Sequence, residues 1–110
     1  MRAMVIRPKV TPTVVGMAEF IAARLQEDYA AARSQQAGKD ISRIGLERWL
    51  LDEWLSLRRE ASRLRATGRV EFYDQATSWD GMARFYEPAI RILAAVWDTH
   101  PDYNPGWAPQ

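Results

Sequence analysis

Residues 98–107, DTHPDYNPGW, hold the side chains of this chain whose types and spacing come nearest to a reactive site. His100 is the only histidine, and Asp98 and Asp102 stand two residues to either side of it. An imidazole between carboxylates is the raw material of a general base or a metal site. The set is thin for either purpose, because a transition-metal site usually recruits more ligands than these. The chain has no cysteine, which excludes a thiolate zinc site, a cysteine nucleophile and a disulfide framework. It contains no GxGxxG, no phosphate-binding loop and no GxSxG. Asp52 and Glu53 are adjacent, so on a helix their carboxylates diverge. The expectation is no enzyme, no catalytic residue, no metal ligand and no cofactor, with a metal protein or enzyme centred on His100 ranking last.

The same stretch reads better as punctuation. Pro101 prevents a preceding helix from continuing, and Asn104-Pro105-Gly106 is a turn signal. The turn would lay Tyr103 and Trp107 back on apolar surface, while His100 hydrogen-bonds free carbonyls of the last helical turn. Residues 99–110 are thus expected to form a C-terminal clasp built on His100, Pro101, Tyr103 and Trp107.

A clasp needs elements to close on. The chain has 110 residues, 47% hydrophobic and 26% charged, which suits a single soluble globular domain over residues 1–110. Pro8 and Pro12 bar an early helix, so residues 1–12 are expected to be an extended or disordered arm. Thr13 is a fair N-cap for a first helix whose apolar set is Met17, Phe20, Ile21, Leu25, Tyr29 and Ala32, with Gly38 as its left-handed stop. A second, long helix is predicted from Asp40 or Ser42 to Gly68, with the seam Leu46, Leu50, Trp54, Leu57, Ala61 and Leu64. Residues 69–77 read as a loop whose aromatics cover a core edge. A third helix is predicted from about Ser78 to Asp98, with Thr77 and Asp80 as a capping box and Pro88 kinking or dividing it near Glu87. It shows two adjacent apolar rows, both expected to be buried: Tyr86, Ile90, Leu93 and Trp97, then Phe85, Ala89, Ile92 and Val96. Arg84, Glu87, Arg91 and Asp98 form its polar stripe, with Glu87 and Arg91 in the favourable order for an ion pair.

The predicted fold class is all-α, a three-helix up-down-up bundle with a long antiparallel helical hairpin and a Pro-kinked third helix. The short turn between the first two helices pairs positions whose numbers sum to about 77. Phe20 would then meet Leu57, and Glu19 would face Arg58 or Arg59.

The first half of the second helix is apolar nearly all round. Trp49 lies off the main seam, and Ile44, Leu51 and Leu55 occupy another side. Such a helix must be surrounded. Either the third helix and the aromatic loop cover this face, or Trp49, Leu51, Leu55 and Ile44 form a partner-binding patch for another protein or a second copy of the chain, making a non-enzymatic interaction protein that pairs as a homodimer. The alternative is an accessory nucleic-acid-binding protein using Arg58, Arg59, Arg63, Arg65 and Arg69. The net charge of +1 supplies no strong basic field. Cations near a helix C-terminus also complement its dipole, and Glu19, Glu27 and Asp28 are expected to answer them. Thirteen of the fifteen basic residues are arginine, a bias that a GC-rich genome produces. No apolar run approaches the roughly 18 residues that span a bilayer. The N-terminus also lacks the apolar core of a signal peptide, so a cytoplasmic protein without a membrane partner is expected.

The stretch AIRILAAVWDTHPDYNPGWAP resembles the end of a small helical family of actinobacteria and their phages, whose members close on a leucine-rich helix, HPDY, then a tryptophan and proline. GMAEFIAARLQEDYAAAR is similar to that family's opening helix. Members often carry a longer middle insertion with tryptophans or cysteines, which is missing here. The family has no established activity. The resemblance implies a bacterial or phage origin and a helical fold, and no site.

Overall fold

The structure, a computed structural model, describes residues 13–109. The arm expected over residues 1–12 lies outside the described residues. Among the described residues, three α-helices form: α1 (Val14–Ser34), α2 (Gly38–Ala66) and α3 (Tyr73–Ala95). Single 3-10 turns precede α3 at Val70–Phe72 and close the tail at Pro105–Trp107.

Thr13 caps α1, its Oγ1 accepting the Gly16 N–H at 2.9 Å. The stop differs from expectation. Gln36, not Gly38, takes the left-handed conformation, at φ 52°. The Ala37 N–H then donates to the Ala32 carbonyl at 2.9 Å and the Gln36 N–H to the Arg33 carbonyl at 3.3 Å. This Schellman arrangement satisfies carbonyls that α1 leaves open. The reversal must follow directly on the last turn, which is why the non-glycine residue carries it. Gly38 instead begins α2, earlier than Asp40 or Ser42, and the Ser42 hydroxyl donates back to the Gly38 carbonyl at 3.1 Å. At the other end of α2, Gly68 does adopt the left-handed conformation, at φ 68°.

The third helix starts at Tyr73, well before Ser78. Thr77 and Ser78 are interior residues whose hydroxyls donate to the Tyr73 and Asp74 carbonyls, so no capping box forms with Asp80. Residues 70–72 are a helical lead-in rather than a loop. Pro88 sits inside α3 without dividing it. Its missing N–H would have met the carbonyl of Arg84, and both residues are exposed, which leaves that carbonyl open to solvent.

Helix α2 is the centre of the packing, with α1 and α3 both laid against it. The core joins Met17, Phe20, Ile21 and Leu25 from α1 with Ile44, Leu51, Trp54 and Leu57 from α2 and Ile90, Leu93 and Ala94 from α3. A second cluster, Ala61, Leu64 and Ala76, fastens the end of α2 to the start of α3 beneath Phe72 and Trp79. An Arg65–Asp80 ion pair ties the same ends. Residues at the start of α1, among them Ala18 and Ala22, share a groove with residues in the second half of α2, among them Leu55 and Arg59.

Two seams differ from the sequence prediction. In the first half of α2 the buried line is Ile44 and Leu51, while Leu46 is exposed. The helix has a neighbour on each of two sides, so its buried face shifts around the axis along its length. On α3 only one of the two apolar rows is inside. Ile90 and Leu93 are buried, and Tyr86 and Trp97 are half-buried against the core, while Phe85, Ala89, Ile92 and Val96 face solvent. On α1, Tyr29 is exposed.

Two isoleucines of α3 therefore give a direct check. Ile90→Ala opens a cavity in the core and is expected to cost about 2–5 kcal/mol, whereas Ile92→Ala should cost less than about 0.5 kcal/mol. Urea denaturation at low protein concentration measures both, and comparable losses would contradict this placement of the two rows.

Candidate interaction surfaces

The stretch richest in reactive groups is consumed by packing. Phe20 on α1 sits in an aromatic cage, with ring centroids 6.3 Å from Trp97, 5.6 Å from His100, 5.8 Å from Tyr103 and 5.2 Å from Trp107. These edge-on and tilted contacts set ring hydrogens against ring faces. Trp107 is buried and lies over Gly16, where an added Cβ would come within 3.6 Å of its ring. The turn forms at Asn104, whose side-chain oxygen accepts the Gly106 N–H at 2.8 Å, and Arg91 on α3 donates to the Gly106 carbonyl at 3.1 Å. Pro101 is exposed and does not stop the helix: α3 ends at Ala95, earlier than expected, and the chain runs on through i→i+3 turns from Val96 to His100.

His100 does not cap carbonyls. Its Nδ1 accepts the Asp102 N–H at 3.0 Å, and the Arg24 guanidinium lies against its Nε2. Arg24 in turn stacks over the Phe20 ring, 5.4 Å from the centroid, and pairs with Glu27 at 3.0 Å. Both ring nitrogens of His100 thus lie against protein groups, and the neutral ring accepts at one of them only. Among the described residues, no group of three or more His, Cys, Asp or Glu side chains is disposed to hold a metal ion.

The four residues singled out as a partner patch separate. Ile44 and Leu51 are buried in the subunit and offer nothing to a partner. Leu55 is half-buried in a groove with α1. Trp49 alone stands clear, 54% exposed. The larger open surface is on α3. Met82, Phe85, Ala89, Ile92 and Val96 are spaced alternately three and four residues apart, and all are exposed, Phe85 to 85%. At 100° per residue most of this row lies on the flank of α3 away from Arg91, while Ile92 borders a hollow it shares with Arg84, Glu87, Arg91 and Pro109 of the tail. Leu46 and Trp49 likewise lie on the flank of α2 away from α1. The two flanks are one side of the α2–α3 pair, and the Arg65–Asp80 tie sets Trp49 level with about Val96. Sequence reasoning found the α3 row by its period but assigned it to the core.

The five arginines at the end of α2 also separate. Arg63 pairs with Glu60 at 2.6 Å, Arg65 with Asp80, and Arg69 with Glu71 at 4.0 Å. The hydrogen bond from Arg63 holds the Glu60 carboxyl below its ordinary range. The expected partners Glu19, Glu27 and Asp28 are not used; Glu27 serves Arg24. Among the described residues no carboxylate pairs with Arg58 or Arg59. Arg58 instead lies over the ring of the fully buried Trp54, 5.6 Å from its centroid. Both arginines border an open groove of about 710 Å³ between α1 and α2.

Among the described residues no helix is long and apolar enough to cross a membrane. No protein-family description, no curated protein and no solved structure matches the chain.

The clasp makes a thermodynamic prediction. Trp107→Ala should cost about 3–5 kcal/mol, and removal of residues 102–110 at least as much. Thermal and urea unfolding read this directly, and a truncated chain as stable as the intact one would show that the tail is ornamental.

Proposed function

We propose that the protein is a non-enzymatic interaction protein that pairs with a second copy of itself through the outer face of α2 and α3. The observation that carries this reading is the solvent-facing row Met82, Phe85, Ala89, Ile92 and Val96. A strict alternation of three and four is the spacing of a helix seam that expects another helix. Leu46 and Trp49 widen the row into a patch. Its six large side chains expose on the order of 700 Å², close to the ~800 Å² that each partner contributes to a standard interface. Monomers rarely leave so large a contiguous apolar patch in water.

Charge favours self-pairing. Arg84, Glu87, Arg91 and Asp98 lie to one side of the row and meet it only at Ile92, so its centre at Met82, Phe85 and Ala89 carries no charge. A two-fold axis through the face closes the assembly, since each patch then satisfies its own copy. The nucleic-acid alternative has weaker support, because three of its five arginines already have acidic partners.

Light scattering coupled to size exclusion at several concentrations tests the reading. The wild-type chain is expected to be dimeric at tens of micromolar, and Phe85→Glu or Ile92→Glu to weaken pairing by about 100-fold or more while leaving helix content unchanged. A strict monomer up to about 200 µM, roughly tenfold above the concentration at which pairing is expected, would overturn it.

A further inference from the structure

The groove between α1 and α2 is a separate surface from the α2–α3 face. Its floor is apolar and built largely from small side chains: Val15, Ala18 and Ala22 from α1, with Leu55, Ser62 and Ala66 from α2. It runs along α1 from Val14 to Ala22 and along α2 from Leu55 to Ala66, which is roughly 12–17 Å at 1.5 Å per residue. That is about three helical turns. The α2 wall carries Arg58, Arg59 and Arg63, and the α1 wall carries Glu19.

From this we infer that the groove binds an amphipathic helix with acidic residues along one edge. Small floor residues let a helical backbone come close, and an apolar floor of this length accepts the i, i+3, i+4, i+7 side chains of a docked helix. Charge then sets the class of partner. Arg58 and Arg59 have no carboxylate partner within the described chain, and Arg58 is held in place by stacking on Trp54. Acidic side chains on the incoming helix complete them. Glu19 on the opposite wall favours a basic residue on the far edge and fixes the direction of docking. Residues 1–12 carry Arg2, Arg7 and Lys9 and no acid, so they supply none of the carboxylates that Arg58 and Arg59 lack. A phosphate backbone would use the arginines but leave the apolar floor unfilled.

The test is fluorescence anisotropy with a labelled, capped peptide of about sixteen residues, leucines at helical spacing and glutamates along one edge. Comparison probes are the same peptide with lysines for glutamates, a duplex oligonucleotide, and vesicles of phosphatidylglycerol. The glutamate peptide is expected to bind at least tenfold more tightly than the lysine peptide. Arg58→Glu/Arg59→Glu and, separately, Ser62→Trp, which fills the groove from an exposed position, should each weaken it at least tenfold. Circular dichroism confirms that each variant is folded. Phe85→Glu should leave peptide affinity unchanged, which separates this site from self-association. Equal binding of the two peptides, indifference to the arginine reversal, or binding of the oligonucleotide or vesicles in preference to the peptide would overturn the proposal.

Discussion

Trp54 lies fully buried at the middle of α2, and its burial needs a helix on each side of it. That requirement organises the molecule. α1 and α3 must both lie against α2, and α1 and α3 consequently touch each other little. An arrangement with one helix flanked by two others has sides that nothing within the chain covers. The apolar row of α3 with Leu46 and Trp49 is one uncovered side, and the groove between α1 and α2 is another. Both proposed interfaces are thus consequences of the same geometry. Two helices and the tail bury Trp54, and all three helices keep apolar surface to offer.

The aromatic clasp compensates on the side where α1 and α3 would otherwise part. Phe20 projects from α1 toward the end of α3, and Trp97, His100, Tyr103 and Trp107 surround it. Arg24 roofs the cage by stacking on Phe20 and meeting His100. The single histidine therefore has its ring edges committed to the fold. A stretch whose composition suggests reactivity is held in place by the contacts that would have to be broken for it to react.

How much of this could be read in the residues depends on whether local chemistry or tertiary context decides. The three helices, the Thr13 cap, the Gly68 stop and the Glu87–Arg91 pair were legible, because each rests on a few neighbouring residues. The start of α3 was misplaced, since Thr77 and Ser78 look like caps but bond back to carbonyls four residues earlier. Period alone found both apolar rows of α3 and could not say which faces inward, because Ile90 and Ile92 differ only in what packs on them. The same ambiguity hid the burial of Ile44 and Leu51 and the exposure of Leu46. The arginine groove was out of reach altogether, as it is made by two helices meeting and not by any run of sequence.

The contact between Trp107 and the first turns of α1 joins segments almost a full chain apart. During translation, α1 and α2 emerge and pair long before that tryptophan leaves the exit tunnel. For that interval Phe20 stands bare beside an unfinished core. Closing that contact joins positions about ninety residues apart, so the clasp is expected to form late in folding, after the more local pairing of α1 with α2.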